Sequence, residues 1–201
     1  MQTLSVNDPK AVTAAADALL NNQVIAAPTE TVYGLMARWN SQEAREQIYT
    51  LKHRPADKKL QMLLPNLEAL TAYTLKNMDW IEAIGRTFWP GPLTLIVETL
   101  DGETIGARIP NQPFVIDVLK QLNEPIAATS ANLSGTPAAF TPEAAVNHLN
   151  GQPALLVNAG TVTVTGGTAS TVASIIGRKL TILRPGVISL EQLQEALSPL
   201  P

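Results

Sequence analysis

The stretch Leu93-Thr94-Leu95-Ile96-Val97-Glu98-Thr99-Leu100-Asp101-Gly102-Glu103-Thr104-Ile105-Gly106-Ala107-Arg108-Ile109 decides the fold class. Trp89-Pro90-Gly91-Pro92 just before it breaks any helix. Leu93 to Glu98 then reads as a strand, Asp101-Gly102 as a turn, and Thr104 to Ile109 as a second strand. Two strands joined this closely pair antiparallel, because a parallel crossover needs a dozen or more residues. The sheet therefore contains antiparallel pairs. Arg108 lies in an otherwise apolar strand end and must meet an anion or reach water.

Moving toward the N-terminus, Met78 to Phe88 and Asn66 to Tyr73 read as helices, and Leu60 to Leu64 as a compact strand. Ser41 caps a helix running to about Leu51. Gln23 to Ala27 reads as a short buried strand that opens into Pro28-Thr29-Glu30-Thr31-Val32-Tyr33-Gly34-Leu35. Asp8-Pro9 starts a first helix through Leu20. Toward the C-terminus, Gln112 to Leu122 reads as a helix and Pro125 to Ala128 as a strand opening into Thr129-Ser130-Ala131-Asn132-Leu133-Ser134-Gly135. Thr141-Pro142 starts another helix, with His148 near its end as a surface or capping residue. Ala154 to Val157 is a strand, and Thr161 to Thr165 alternates. Gly166-Gly167-Thr168 reads as a flexible turn, and the sequence leaves open whether it hinges a lid. Ser170 to Ile176 and Thr181 to Arg184 are strands, and Ser189 caps a last helix. Helices and strands interleave throughout, so the class is α/β with a mixed sheet.

Composition narrows the function. The 201 residues include no cysteine and only two histidines, His53 and His148. Thiolate chemistry is excluded and a histidine-rich zinc site disfavoured. The net charge of −3 argues against nonspecific nucleic-acid binding. No apolar run is long enough to span a bilayer, and Met1 to Pro9 lacks the pattern of a signal peptide. Against this acidic background stands Lys52-His53-Arg54-Pro55-Ala56-Asp57-Lys58-Lys59, with four cations in eight positions. Cations at a helix C-terminus are favourable by about 0.3–1 kcal/mol without any ligand. They also hold phosphate where hydroxyls and main-chain amides converge with them. Two hydroxyl-rich stretches, Thr29 to Gly34 and Thr129 to Gly135, follow strands, where α/β proteins place ligands. The standard phosphate-loop and dinucleotide signatures are absent.

Five segments occur in order: Pro28-Thr29-Glu30-Thr31-Val32-Tyr33-Gly34-Leu35, Lys52-x-Arg54-Pro55-x-x-Lys58, Trp89-Pro90-Gly91-Pro92-Leu93-Thr94, Ala107-Arg108-Ile109-Pro110 and Ser130-Ala131-Asn132-x-Ser134-Gly135. Together they resemble the YrdC-like threonylcarbamoyl-AMP synthases, from about residue 8 to residue 186. The resemblance implies one domain over 1–201, the short form without an extra C-terminal domain. It implies a twisted mixed parallel and antiparallel sheet, flanked by helices, with a concave ligand cleft. The implied activity is L-threonylcarbamoyladenylate synthesis from L-threonine, bicarbonate or CO2, and ATP, with release of pyrophosphate. The product feeds tRNA threonylcarbamoyladenosine modification in the cytoplasm, through a downstream transferase and with at most weak or indirect tRNA contact.

By position in the motifs, the resemblance implies ATP contacts at Arg54, Lys58, Thr104, Ser130 and Arg184. It implies threonine contacts at Thr29, Thr31, Tyr33, Arg108 and Ser170, and catalytic roles for Lys52, Arg54 and Asn132. Mg2+ is implied as an ion held mainly through the phosphates, with no protein metal ligands. The chain departs from the family pattern at Lys58-Lys59-Leu60, at Ala169, and at Leu63, where relatives often carry histidine. Two alternative readings are a noncatalytic RNA- or ribosome-binding module and a paralogue that adenylates another small molecule.

Overall fold

Ten strands form one mixed sheet in the order β1-β8-β2-β3-β7-β4-β6-β5-β9-β10 in the computed structural model, which describes residues 1–163 and 170–199. The strands are β1 (Gln2–Ser5), β2 (Ile25–Pro28), β3 (Tyr33–Arg38), β4 (Gln61–Leu63), β5 (Leu93–Glu98), β6 (Thr104–Arg108), β7 (Ile126–Ser130), β8 (Leu155–Asn158), β9 (Thr171–Ile176) and β10 (Lys179–Arg184). The helices are α1 (Ala11–Leu20), α2 (Gln42–Lys52), α3 (Met78–Phe88), α4 (Pro113–Leu122), α5 (Pro142–Val146) and α6 (Leu190–Leu197). The hairpin expected around Asp101-Gly102 is present: β5 and β6 pair antiparallel from Leu95–Ala107 to Glu98–Thr104. Parallel pairs join β1 to β8, β8 to β2, β4 to β6 and β5 to β9.

Three apolar clusters hold helices against this sheet. Leu19 of α1 and Val115, Val118 and Leu122 of α4 pack with Ile25, Met36 and Ile126. On the other face, Ala44 and Ile48 of α2 and Ala145 of α5 pack with Ala26, Leu35 and Ala127. Ile81 and Ile84 of α3 and Leu193 of α6 pack with Leu95, Val97, Ala107 and Ala173. The three burials follow the period of 3.6 in the helices and of two in the strands.

Local chemistry sets several boundaries. Ser41 accepts a hydrogen bond from the Ala44 N–H at 3.2 Å, and Thr141 does the same for Ala144 at 3.2 Å. Ser189 and Gln192 form a reciprocal capping box. Gly177 and Arg178 have φ of 53° and 57° between the paired residues Ile176 and Lys179. Two positive φ values in a two-residue connection match the twist of the flanking strands.

Five features of the structure differ from the sequence reading. Asp8 does not cap α1; its carboxylate accepts from the Lys10 N–H at 2.8 Å in the preceding turn, and the helix starts at Ala11. Residues Glu68–Ala72 form a short 3-10 helix in place of an α-helix. Tyr33 to Arg38 is a strand buried on both faces, and Gln2–Ser5 is an edge strand paired with β8. Thr161 to Thr163 is not in a strand; the rest of that segment and Gly166-Gly167 lie outside the described residues.

The cap at Ser41 carries the α2 register and hence the residues that leave its C-terminus. Ser41→Ala is expected to lower stability by about 1 kcal/mol, or roughly 2–4 °C in Tm, measured by thermal unfolding.

Candidate active site

Alternation along β6 separates two chemistries. Ile105 and Ala107 face the core with α3 and α6. Thr104, Gly106 and Arg108 face a cleft of about 350 Å3, together with Gln61 of β4, Thr94 and Ile96 of β5, Ala128 and Ser130 of β7, and Val172 of β9. The strand register brings them into rows: Ala128 pairs with Gln61, Gln61 with Gly106, and Gly106 with Ile96. Gly106 keeps this floor low, because a Cβ there would lie 3.0 Å from Ile96 Cδ1. Gln61 is fixed by accepting from Thr94 Oγ1 at 3.0 Å.

Arg54 reaches the cleft because of how α2 ends. His53 adopts φ of 48°, its N–H donates to Thr50 O at 3.3 Å, and the Arg54 N–H donates to Tyr49 O at 2.9 Å. This pair of bonds closes the helix and reverses the chain. Arg54 Nε and Nη2 then donate to the carbonyls of Lys58 at 2.8 Å and Lys59 at 2.9 Å. Arg54 makes no ion pair with a carboxylate among the described residues, and burial lowers its pKa. Lys59 lines the cleft and pairs with Glu103 at 2.8 Å, whereas Lys58 is exposed on the turn outside it.

At the other end, Ser170 is buried and accepts from Arg184 Nη2 at 3.0 Å on Oγ and 2.8 Å on its carbonyl. Arg108 is 3% exposed and donates to Glu30 Oε1 at 2.7 Å, Thr31 Oγ1 at 3.3 Å and Gly91 O at 3.3 Å. Thr31, Ser170 and Arg184 line the same cleft.

The remaining expected residues sit behind this surface. Lys52 is 1% exposed; its ammonium donates to the carbonyls of Ser130 and of Asn132, the latter at 2.6 Å, and to Asn132 Oδ1 at 3.4 Å. Asn132 Nδ2 donates to Leu133 O and Thr136 O, each at 2.8 Å. Thr29 Oγ1 donates to Val32 O at 2.7 Å and accepts from the N–H groups of Thr31 and Val32. Tyr33 is fully buried, and its hydroxyl donates to Gly160 O at 2.8 Å and accepts from the Ala159 N–H at 2.9 Å. Thus Thr31, Arg54, Thr104, Arg108, Ser130, Ser170 and Arg184 converge on one cavity. Lys52, Asn132, Thr29 and Tyr33 brace its walls, and Lys58, expected among the ATP contacts, lies exposed outside the lining, where Lys59 stands instead.

A family model described as "Telomere recombination", that of Sua5, YciO and YrdC proteins, matches residues 17–186. The chain belongs to the Sua5/YciO/YrdC family. It is 36% identical over 207 residues to threonylcarbamoyl-AMP synthase of Bacillus subtilis, covering 98% of this chain and 59% of that protein. It superposes on Pyrococcus abyssi Sua5 complexed with L-threonine with a TM-score of 0.86 at 28% identity, covering 98% of this chain and 59% of that one. E. coli YciO shares the fold, with a TM-score of 0.79 at 22% identity over 96% of this chain and 98% of that one. The chain spans between 50% and 59% of the length of the first curated relatives it matches.

Several lining residues of this family member carry no signal in a linear reading. Gln61 and Ile96 reach the cleft only through strand register: Ile96 shares parity with Thr94, the last residue of the Trp89-to-Thr94 motif, on the β5–β6 hairpin, and Gln61 enters through the pairing of β4 with β6. Leu63, the departure from the family pattern, is fully buried with the α1 and α4 cluster and pairs in register with Arg108.

Lys52 gives a pH test. Burial, followed by the nearby Arg54 charge, lowers its pKa from 10.5 to about 8. Between those values the unfolded chain holds a proton that the folded chain has released, so stability rises with pH through the window. The contribution is complete above pH 10.5 and is lost as pH falls through about 8. The unfolding free energy of the native chain minus that of Lys52→Met, measured in urea, should increase between those two pH values. A constant difference would mean that the ammonium is not perturbed.

Proposed function

We propose that the chain makes L-threonylcarbamoyladenylate from L-threonine, bicarbonate or CO2, and ATP, releasing pyrophosphate, and is therefore a nucleotidyltransferase. The observation that carries this reading is the placement of cations without carboxylate partners beside hydroxyls on one sheet face. The family relationship, with relatives named for this synthase and one solved with L-threonine, supports the same reading.

In this reading Arg54, Thr104 and Ser130 take the triphosphate, and Lys58 joins them from the exposed turn outside the lining. Arg184 spans toward the amino-acid end, where Thr31, Ser170 and Arg108 take threonine, with Arg108 suited to its carboxylate. Lys52 and Asn132 hold the Ser130 loop, and Thr29 and Tyr33 hold the Thr31 loop. The threonine amine first adds bicarbonate carbon to give a carbamate and water. A carbamate oxygen then forms a bond to the α-phosphorus of ATP as the bond from that phosphorus to the β-phosphate bridging oxygen breaks. Pyrophosphate leaves with the bond electrons. The protein supplies alignment and positive charge, and no side-chain nucleophile is needed.

The cleft offers hydroxyls and cations, and no group of three or more His, Cys, Asp or Glu suited to a metal occurs among the described residues. That donor set fits Mg2+ entering on the triphosphate, where it would neutralise phosphate charge. The product would pass to a tRNA-modifying transferase, which places the chain in the cytoplasm; no helix of the described residues is long and apolar enough to cross a membrane. Trp89 is buried, and Trp39 and Trp80 lie under Arg45 and Arg178, so the tryptophans do not form an exposed base-stacking platform.

The assay supplies ATP, Mg2+, bicarbonate and L-threonine and follows pyrophosphate and threonylcarbamoyladenylate. Threonine-dependent pyrophosphate is the expected result; ATP binding without it would point to a different acceptor. Arg54→Ala is expected to lower turnover by about 10²–10³-fold with the fold retained by circular dichroism, the scale of losing one charge-stabilising donor.

A further inference from the structure

Behind Arg108, outside the cleft lining, stands a carboxylate that belongs to the protein. Glu30 Oε1 accepts from Arg108 Nη2 at 2.7 Å and from the Asn111 N–H at 3.1 Å, while Oε2 is buried without a hydrogen-bond partner. Arg108 therefore spends Nε on Gly91 and Nη2 on Glu30 and Thr31, and only Nη1 makes no hydrogen bond among the described residues. The hydroxyl chain behind it is ordered. Thr29 donates its single proton to Val32 O, so in the 2.9 Å contact between Thr29 and Thr31 the donor is Thr31. Thr31 then accepts from Arg108, and the guanidinium is gripped from three directions.

A second cation makes this grip necessary. Arg184 lies close enough that the Arg108 charge, after partial burial, lowers its pKa. Two guanidinium groups at one end of a cavity repel, and an isolated arginine would rotate away or recruit solvent. Glu30 removes that drive by standing permanently against Arg108.

We propose that Glu30 is the positioning residue for the amino-acid carboxylate: by holding Arg108 through Nη2 it fixes the guanidinium so that Nη1 serves the ligand. The proposal rests on the synthase reading and adds to it a residue that does not itself line the cleft. Glu30 acts only through Arg108, so its loss should fall on amino-acid binding and leave the nucleotide end intact.

The test uses the full chain with Glu30→Gln, Glu30→Asp and Glu30→Ala, reading KM for L-threonine, kcat, and ATP affinity by calorimetry. Glu30→Gln keeps the shape and the hydrogen bond, so it guards against a variant that fails to fold. The expected result is a threonine KM raised by about tenfold or more in Glu30→Ala, with kcat and ATP affinity within about threefold, and a smaller rise in Glu30→Gln and Glu30→Asp. Added formate should partly restore the Glu30→Ala KM by occupying the vacated carboxylate position. Unchanged threonine KM in a folded Glu30→Ala, or a loss confined to kcat or shared equally by ATP affinity, overturns the proposal while the synthase reading stands. No threonine-dependent turnover in the unmodified chain overturns both.

Discussion

Strand register on β6 is the constraint on which the molecule depends. A period of two puts Ile105 and Ala107 into one environment and Thr104, Gly106 and Arg108 into the other. A slip of one residue would exchange them. Arg108 would then enter the cluster of Leu95, Val97 and Ile175, where an unpaired guanidinium is costly, while Ile105 would face the cavity. The β5–β6 hairpin pins that register on one side and the parallel β4 pairing pins it on the other. Sequence, packing and site are therefore one requirement expressed along five residues.

The cations around the cleft are neutralised in two different ways. Lys52 and Arg54 are satisfied by carbonyl oxygens, which supply hydrogen bonds but no formal negative charge. Arg108 is satisfied by a carboxylate, so its pair with Glu30 is close to neutral. Carbonyl-satisfied cations leave uncompensated positive charge on the side of Arg54, in a chain whose total charge is −3. Arg184, held by the Ser170 carbonyl and hydroxyl, is uncompensated in the same way at the other end, so positive charge without a carboxylate partner stands at both ends of the cleft while Arg108 is balanced by Glu30.

Much of the fold was legible because local signals agreed with tertiary burial. Met78 to Phe88, Leu93 to Glu98 and the Ser41 and Ser189 caps combine clear periodicity with a start or stop residue, and each appears at those bounds. What escaped has physical reasons. β1 is a four-residue edge strand that packs only partly, so it has no alternating apolar face to read. β3 is buried on both faces, so its Tyr-Gly-Leu-Met run has no period and follows a threonine-rich stretch that looks like a turn. For the site, residue types pointed to Arg54, Arg108, Ser130 and Arg184. Whether a residue lines the cavity or supports it from behind depends on side-chain direction. Lys52, two residues before Arg54 and also a cationic residue type, is turned inward by the final turn of a helix.

The hydroxyl-rich stretches are far apart in sequence and adjacent in space for a topological reason. β3 and β7 are antiparallel, so the start of one lies beside the end of the other: Gly34 pairs with Ser130, and the Ala131 N–H donates to Tyr33 O at 2.8 Å. The Thr31 loop and the Ser130 loop are therefore held together by the ladder itself. Lys52 adds the third member, since its ammonium meets the Ser130 and Asn132 carbonyls while its own carbonyl accepts from the Ser134 N–H at 3.0 Å. A side chain without an N–H at position 52 would leave the Asn132 carbonyl without this donor and Ser130 O with only the Asn132 N–H, and the loop would have to move to find water. A long side chain ending in a donor is thus required at position 52 by backbone satisfaction before any ligand is considered, and its contribution to the cleft follows from the loop it holds.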